Sequence, residues 1–169
     1  MDLLSRRPHF RRELGEKLAQ RDYEPAEIEE TLERLEARRL LDDARTARDF
    51  VSSRLAREPL GRRRLHDELK RRGAPPELAR EALDELFPED EPALARQAAE
   101  RWLRRRGPSA TRPSNERAAL FRHLQRRGFS QHAIFSVLQG MPATASEDCD
   151  DFAIDDIPIG DFPNSGTSS

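Results

Sequence analysis

Apolar residues recur along the chain in three segments that share one spacing. The segments run over Leu14–Leu32, Leu65–Leu83 and Leu120–Leu138, and in each the five apolar positions are four, five, five and four residues apart. A spacing of four keeps side chains on one face of a helix. The five-residue steps shift that face around a turn, so the pattern predicts three helix–turn–helix pairs in tandem.

The residues at the predicted turns have the conformational freedom that a turn requires. Gly73 and Gly128 follow the first helix of the second and third pairs, and Asp22 takes the same place in the first pair. Gly adopts the left-handed backbone conformation without strain, and Asp tolerates it better than most residues do. The next helices open with residues that favour a helix start, at Glu24-Pro25, Pro75-Pro76 and Ser130-Gln131.

A further helix precedes each of the last two pairs. Asp42 is placed to cap one of these helices, and Pro92 is placed to start the other. The first pair is preceded only by a stub over residues 2–7, which Pro8 breaks. The fold is therefore predicted to be all-α, an elongated array of three tandem three-helix repeats. The predicted boundaries are 1–40, 41–88 and 89–142, with a tail over 143–169.

Composition limits the class of protein. Hydrophobic residues make up 36% of the 169 residues and charged residues 37%, against about 25% charged in an average soluble domain. Cys149 is the only cysteine, which excludes a disulfide framework and a Cys-rich zinc site. No apolar run approaches the roughly 20 residues of a membrane span, and the first residues lack the apolar stretch of a secretory signal. We expect a cytoplasmic protein that does not bind a membrane.

The net charge of −2 conceals two oppositely charged parts. Residues 1–142 hold all 30 basic residues and 25 acidic ones, a balance of +5. The tail holds seven acidic residues and no basic residue. Its acidic residues alternate with apolar ones among Pro, Ser and Gly, a composition that predicts a disordered segment.

The sequence contains no constellation of residues typical of catalysis. The chain has four histidines: His9, His66, His123 and His132. Their spacing matches no usual metal site, and we expect them at the surface. Trp102 falls on an apolar stripe, while Tyr23 and Phe129 occupy equivalent turn positions, so we expect all three in module cores. The prediction is a protein without enzymatic activity, metal or cofactor.

Clusters of arginine are the clearest candidates for a binding surface. Arg72 and Arg127 lie in the last turns of predicted helices, where a cation favours the helix dipole. That explanation fails for the Arg62–Arg64 run, which opens a helix, so its charges suggest an external anion, either phosphate or an acidic partner surface. The candidate partner- or phosphate-binding residues are Arg54, Arg62, Arg63, Arg64, Arg71, Arg104, Arg105, Arg106 and Arg126.

Two stretches of the chain resemble a known family. Leu41–Arg54 (LDDARTARDFVSSR) and Gly61–Gly73 (GRRRLHDELKRRG) are together similar to the central repeat of the RecX family, the bacterial regulators of the RecA recombinase. Residues 7–18 resemble the opening repeat of that family. Phe10 stands where a helix-capping Ser is common in the family, and Arg39-Leu40 stands where a Gly is common.

The resemblance implies a function, a shape and a set of partners. RecX-family proteins are elongated, curved helical proteins without a catalytic site, which bind the recombinase–DNA filament and restrain its ATP hydrolysis, growth and strand exchange. We therefore expect a monomeric regulator of a RecA-type recombinase filament that contacts single-stranded DNA weakly or through the filament.

Two other functions remain open from the sequence. One is a direct DNA-binding protein that uses its helix–turn–helix pairs, and the other is a helical-repeat interaction scaffold. Acidic residues on the second helices of the pairs, such as Glu27 and Glu77, weigh against direct DNA binding because they repel phosphate.

Overall fold

A computed structural model of the protein describes residues 8–106 and 113–140. These residues form eight α-helices and no strand. The helices are α1 (Arg11–Ala19), α2 (Pro25–Ala37), α3 (Asp43–Arg57), α4 (Arg62–Arg71), α5 (Pro76–Leu86), α6 (Glu91–Arg106), α7 (Pro113–Arg126) and α8 (Gln131–Gln139). The predicted stub over residues 2–7 and the predicted tail lie outside the described residues.

The helices form three successive modules, as the repeated apolar spacing predicted. Module 1 contains α1 and α2, module 2 contains α3 to α5, and module 3 contains α6 to α8. Helix packing is concentrated within the modules, and in modules 2 and 3 the first helix packs closely on the third. The predicted all-α array of tandem helix–turn–helix repeats is confirmed.

The predicted turn residues adopt the left-handed conformation. Gly73 has φ 83°, Gly128 has φ 79°, and Asp22 has φ 61°. Arg39, between modules 1 and 2, also lies in this region with φ 56°. The family pattern has a Gly at the Arg39-Leu40 position. Arg39 carries a Cβ where Gly would adopt this backbone conformation without strain, so the departure noted in the sequence strains the backbone at a turn.

Two of the predicted helix starts are capped by the expected side chains. The Asp42 carboxylate accepts a hydrogen bond from the Arg45 backbone N–H at 2.9 Å, and the Ser130 hydroxyl accepts one from the Ala133 N–H at 3.3 Å. Helix α6 begins at Glu91, one residue before the predicted Pro92. The earlier start follows from Asp90, whose carboxylate accepts a hydrogen bond from the Ala93 N–H at 2.8 Å.

Each of the three modules has its own hydrophobic core, and two residues lie in the core of the neighbouring module. Phe10, just before α1, is fully buried in the core of module 2, whereas Leu41, just before α3, belongs to the core of module 1. The largest fully buried side chains are Phe10, Leu65, Leu69, Leu83, Leu120, Leu124, Ile134 and Val51. Modules 1 and 2 therefore exchange one apolar side chain each.

Not every expected core or surface residue lies where the sequence placed it. Phe129 is buried and Trp102 packs against the core of module 3, as predicted. Tyr23 is 38% exposed, so the prediction of a core position is wrong. In modules 2 and 3 an opening helix packs over the hairpin, whereas the described part of module 1 contains only the hairpin α1–α2.

The expectation of surface histidines is wrong at His9, and His123 is half-buried rather than exposed. His9 is buried, 4% exposed, with its Nδ1 3.1 Å from a carboxylate oxygen of Glu13 and 3.2 Å from Nζ of Lys17. Nδ1 thus has polar partners where it is withdrawn from water.

Within 8–106 and 113–140, no helix is long and apolar enough to cross a bilayer.

Candidate partner and phosphate interface

Arg54 is held by carboxylates inside module 2. Its Nε donates to Glu68 Oε2 at 2.9 Å, and its Nη2 donates to Glu68 Oε1 at 3.1 Å. Glu58 lies 3.1 Å from the same guanidinium. This bidentate ion pair joins α3 to α4 and orients the arginine toward the protein.

The arginines that open α4 differ from one another in their partners. Arg64 donates to Glu68 at 2.8 Å, while Arg62 binds the Asp84 carboxylate and the Leu83 carbonyl on α5. Burial raises the pKa of Glu68, but the hydrogen bonds and charges of Arg54 and Arg64 outweigh it and lower that pKa.

The side chain of Arg63 is exposed, with no carboxylate partner in the part of the chain that the structure describes. Internal carboxylates thus oppose the charges of two of the three arginines at the start of α4, Arg62 and Arg64. Arg63 alone keeps its charge directed to solvent.

The junction between modules 2 and 3 is a backbone-to-backbone contact. The Gly61 N–H donates to the Arg127 carbonyl at 2.9 Å, and the Arg63 N–H donates to the Gly128 carbonyl at 3.3 Å. Gly61 has no capping side chain, so the turn between α7 and α8 satisfies amides at the start of α4. The two glycines allow this approach, because a Cβ on Gly61 would lie 2.1 Å from the Gly128 carbonyl oxygen.

The same arginine-to-carbonyl contact occurs at both module junctions. Arg127 donates to the Pro59 carbonyl at 3.1 Å, and Arg72 donates to the Pro8 carbonyl at 2.8 Å. The two prolines are 51 residues apart and the two arginines 55, the offsets of the sequence repeat. These arginines therefore join consecutive modules, a role beyond the helix-dipole contact that the sequence predicted.

Each junction arginine has further partners of its own. The Arg127 guanidinium binds Glu58 at 2.9 Å. The Arg72 guanidinium lies 5.4 Å from the ring centre of Phe10 and 5.1 Å from that of Phe50, within the range of cation–π attraction. Both side chains are partly buried between modules.

The charges of arginines distant in sequence act on His123 in module 3. Burial lowers the pKa of His123 to about 4, and the charges of Arg127, Arg126 and Arg105 add to that shift. Arg105 lies in the last turn of α6 and Arg126 ends α7, and the charges of both act on this ring. The His123 ring centre is 5.7 Å from that of Trp102.

Arg63 belongs to the same region, because its backbone bonds to Gly128, two residues after Arg126. We call Arg63, Arg105 and Arg126 the junction patch. All three side chains are exposed, and none binds a carboxylate of a described residue.

The remaining predicted arginines lie beside or away from this patch. Arg106 stacks on Trp102, 4.7 Å from the ring centre. Arg104 is exposed, with Glu100 at 3.8 Å. Arg71 lies at the opposite end of α4 and donates to the Asp67 carbonyl at 3.3 Å. The structure thus places the start of α4, with Arg63, against the turn that follows Arg126, and leaves Arg71 apart at the other end of α4.

Sequence reasoning missed one contact between modules 1 and 2. Phe10 cannot cap α1 with its side chain, and the Asp43 carboxylate supplies the cap by accepting from the Arg11 N–H at 2.8 Å. Burial raises the pKa of Asp43, and the hydrogen bond from the Arg11 N–H offsets part of that rise. Asp43 lies in the segment that carries the family resemblance, but nothing local in the sequence indicates a cap across 32 residues.

No group of three or more His, Cys, Asp or Glu side chains could hold a metal ion within the described ranges. The candidate interface is built instead from guanidinium groups, which bind phosphate or carboxylate.

Comparison with known proteins gives one consistent result. Family models for the first, second and third three-helix domains of RecX match residues 1–35, 42–83 and 89–138. A "Regulatory protein RecX" from Halorhodospira halophila is 38% identical over 148 residues, which cover 86% of this chain and 85% of that protein. A "Regulatory protein RecX" from Pseudomonas fluorescens is 40% identical over 140 residues, covering 83% and 87%.

Solved structures share the fold. The crystal structure of RecX from Lactobacillus salivarius has a TM-score of 0.68 at 22% identity and covers 82% of this chain and 88% of that one. A second crystal structure, of regulatory protein RecX, has a TM-score of 0.67 and covers 82% and 67%. The three domain matches and the identity over most of both chains show that this protein belongs to the RecX family.

Proposed function

We propose that this protein binds the filament that a RecA-type recombinase forms on DNA, and restrains its ATP hydrolysis, growth and strand exchange. It acts in the cytoplasm as a monomer without catalytic activity of its own. Membership of the RecX family supports this function, since the named relatives are regulatory proteins.

The observation that carries the proposal is the repeated junction between modules. Arg72 with Pro8, and Arg127 with Pro59, join consecutive modules through the same hydrogen bond. An array with repeated junctions suits a partner that is itself repeating, because equivalent surfaces can meet equivalent subunits.

We place the main contact on the junction patch, Arg63, Arg105 and Arg126. Their guanidinium groups are exposed and suited to phosphates of bound DNA or to carboxylates of the recombinase. Arg54, Arg62 and Arg64 contribute less, because Glu68 and Asp84 already oppose their charges.

The exposed acidic side chains on the second helix of the first two hairpins favour this function over direct DNA reading. Glu27 and Glu30 on α2, and Glu77 and Glu81 on α5, are exposed. A second helix placed in a DNA groove would bring these carboxylates against phosphate, which costs Coulomb energy.

Recombinase ATPase activity on single-stranded DNA tests the proposal. We expect wild-type protein to slow hydrolysis, and the patch variant, with Arg63, Arg105 and Arg126 changed to Gln, to need at least ten times more protein for the same inhibition. The matched control variant carries Arg21→Gln, Arg38→Gln and Arg48→Gln, which also removes three exposed charges that bind no described carboxylate. It should inhibit as wild type does.

Circular dichroism establishes that each variant is folded before its activity is compared. Equal inhibition by the patch variant and the wild type would remove the junction patch from the contact. Absence of any effect of wild-type protein on ATP hydrolysis and on filament length would refute the function itself.

A further inference from the structure

The hairpin α7–α8 differs in charge from the other two hairpins of the chain. Residues 117–140 contain four arginines and no acidic residue. The corresponding residues of the first and second repeats, 11–34 and 62–85, contain eight and six acidic residues. A polyanion can therefore approach the third hairpin without meeting a carboxylate of that hairpin.

The repeat offsets identify the positions at which carboxylates have been replaced. Arg122 on α7, and Ser136 and Gln139 on α8, occupy positions that are acidic in both earlier repeats. The corresponding residues are Glu16 and Asp67, Glu30 and Glu81, and Glu33 and Asp84, all of them exposed. The change is thus confined to the surface, where the packing of the hairpin does not require it.

An aromatic ring occupies another of these surface positions. Phe135 on α8 is 45% exposed, and its position is held by Glu29 in the first repeat and by Arg80 in the second, both exposed. The hairpin therefore folds without an aromatic side chain at this place. The Phe135 ring centre lies 6.1 Å from that of Phe121, which packs against the core of module 3. The exposed ring is thus supported by a partly buried one.

Exposed cations extend from this aromatic pair to the junction patch. Arg122 directly follows Phe121, and Arg126 lies four residues further on the same face of α7. Both arginines are exposed, and neither binds a carboxylate of a described residue. The hairpin surface therefore combines guanidinium groups, which suit phosphate, with an exposed ring, which suits a flat apolar group.

This combination favours nucleic acid over a protein partner. Protein surfaces carry charges of both signs, so a face that docks on a protein gains nothing from losing every carboxylate. A nucleic acid carries one sign of charge along its whole backbone, and each carboxylate removed lowers its repulsion.

The N-terminal end of α8 disfavours a duplex in this role. The Glu91 carboxylate accepts hydrogen bonds there from the Ser130 N–H at 3.2 Å and from the Ser130 hydroxyl at 2.5 Å. A second helix that enters a major groove contacts base edges with its N-terminal residues, so Glu91 would be carried toward the phosphates. A single strand that crosses α8 at Phe135 stays about one turn of helix away from that end.

We propose that the hairpin α7–α8 binds single-stranded nucleic acid, with a base stacked on Phe135 and backbone phosphates bound by Arg122 and Arg126. Stacking tolerates any sequence, because every base has an aromatic face and the bases of a single strand are free to reach the ring. The inference deepens the proposed function, on which its role in the filament rests, by naming the component of the filament that this hairpin meets.

Binding of a fluorescent oligothymidylate to the full-length protein, followed by anisotropy at ~50 mM salt without recombinase, tests the stacking contact. Phe135→Ala should bind at least about fivefold more weakly, as the loss of one stacked base does. Its salt dependence should match that of the wild type, because no charge is removed. Leu40→Ala, at a 59% exposed apolar residue of module 1, is the control and should bind as wild type.

Two further substitutions separate stacking from simple apolar contact. Phe135→Trp should bind at least as tightly as the wild type, whereas Phe135→Leu should be as weak as Phe135→Ala, because leucine has no aromatic face. Circular dichroism should show all of these variants folded, since the other repeats carry Glu29 and Arg80 at this position.

The phosphate contact has a different signature. Arg122→Gln should weaken binding and reduce the slope of log affinity against log salt by about 0.7, the value for one phosphate of a single strand. Arg48→Gln, which removes an exposed arginine of module 2 that binds no described carboxylate, should leave the slope unchanged.

Several results would overturn the proposal. They are the absence of oligonucleotide binding by the wild type, wild-type affinity in Phe135→Ala or Phe135→Leu, and tighter binding of a duplex than of a single strand of the same length. Loss of recombinase inhibition in Phe135→Ala with unchanged DNA affinity would assign this face to a protein partner instead. If the wild type does not slow ATP hydrolysis but DNA binding depends on Phe135 as expected, the proposed function fails and the nucleic-acid contact stands.

Discussion

Gly61 and Gly128 meet backbone to backbone across the junction between modules 2 and 3. The φ of Gly61 is −75°, which any residue adopts, so the constraint at this position is space rather than backbone conformation. A Cβ on Gly61 would lie 2.1 Å from the Gly128 oxygen, and a Cβ on Gly128 would lie 2.3 Å from the Arg64 nitrogen. In both cases the obstacle is backbone, which cannot rotate away as a side chain does.

Gly61→Ala should therefore separate the two modules. We expect a loss of about 2 kcal/mol in the free energy of unfolding, in the range of overpacked cores, measured by urea denaturation. Small-angle scattering should show a longer molecule. Gly15→Ala is the control, because its Cβ would lie 3.5 Å from Leu32 Cδ1 in ordinary contact, and Ala in a helix gains about 0.5–1 kcal/mol. A Gly61→Ala protein as stable as the wild type would contradict the junction geometry.

Arg54→Met should destabilise module 2 far more than Arg63→Met. The first substitution leaves Glu68, a half-buried carboxylate, with Arg64 as its remaining partner, at a cost of about 2 kcal/mol. The second removes an exposed charge and should change the free energy of unfolding by less than about 0.5 kcal/mol. Thermal and urea unfolding of both variants decide this, and equal costs would be the contrary result.

Stability should fall at mildly acidic pH because of His123. Its folded-state pKa is about 4, below the unfolded value of about 6.5. Between these values only the unfolded chain takes up the proton, so stability is lost as pH falls from about 6.5 toward about 4 and is unaffected above that window.

His123→Phe keeps a ring against Trp102 and removes the titration. The wild type should lose on the order of 1 kcal/mol more than this variant between pH 7.5 and pH 5, as measured by urea unfolding at both pH values. His132→Gln, at an exposed site on α8, serves as the surface control. Parallel pH profiles for the wild type and His123→Phe would disprove the role of this ring.

Arg39→Gly should stabilise the protein. The left-handed conformation at φ 56° costs a residue with a Cβ about 1–2 kcal/mol, which Gly does not incur. The greater freedom of Gly in the unfolded chain offsets about 0.4–1 kcal/mol of that gain. A net gain of about 0.5–1 kcal/mol is expected from the free energy of unfolding. Arg38→Gly, one residue earlier at φ −88°, relieves no strain and should lose stability. A loss at both positions would rule out strain at Arg39.

The helices and their turns could be predicted because their signals are local. A spacing of four apolar residues, a glycine at a turn and a capping side chain act within one or two turns of helix. The error at Tyr23 shows where this stops, because the burial of a turn residue depends on a helix elsewhere in the module. His9 likewise depends on Glu13 and Lys17 folding back over it.

The arginine surface could be predicted only in part. The sequence placed Arg63, Arg105 and Arg126 among the candidates, but it did not show that Asp84 and Glu68 oppose the charges of Arg62 and Arg64. Asp84 lies on another helix, and Glu68, four residues after Arg64 on α4, also binds Arg54 of α3, so both pairings depend on helix packing. The junction contacts did leave a signal, since Pro8 and Pro59 share one repeat offset and Arg72 and Arg127 share the other.

The borrowed helix caps have a consequence for folding. The first amides of α1 and α4 are satisfied by groups of the following module, namely the Asp43 carboxylate and the carbonyls of the turn between α7 and α8. A module synthesised on its own lacks these acceptors, so the first turns of its central helix fray until its successor emerges and folds. Unfolding of module 3 removes the cap of α4, and unfolding of module 2 removes the cap of α1. The coupling free energy of each junction is shared by both of its modules. Only the order of synthesis gives it a direction, because the groups that cap α1 and α4 are made after the helices that they cap.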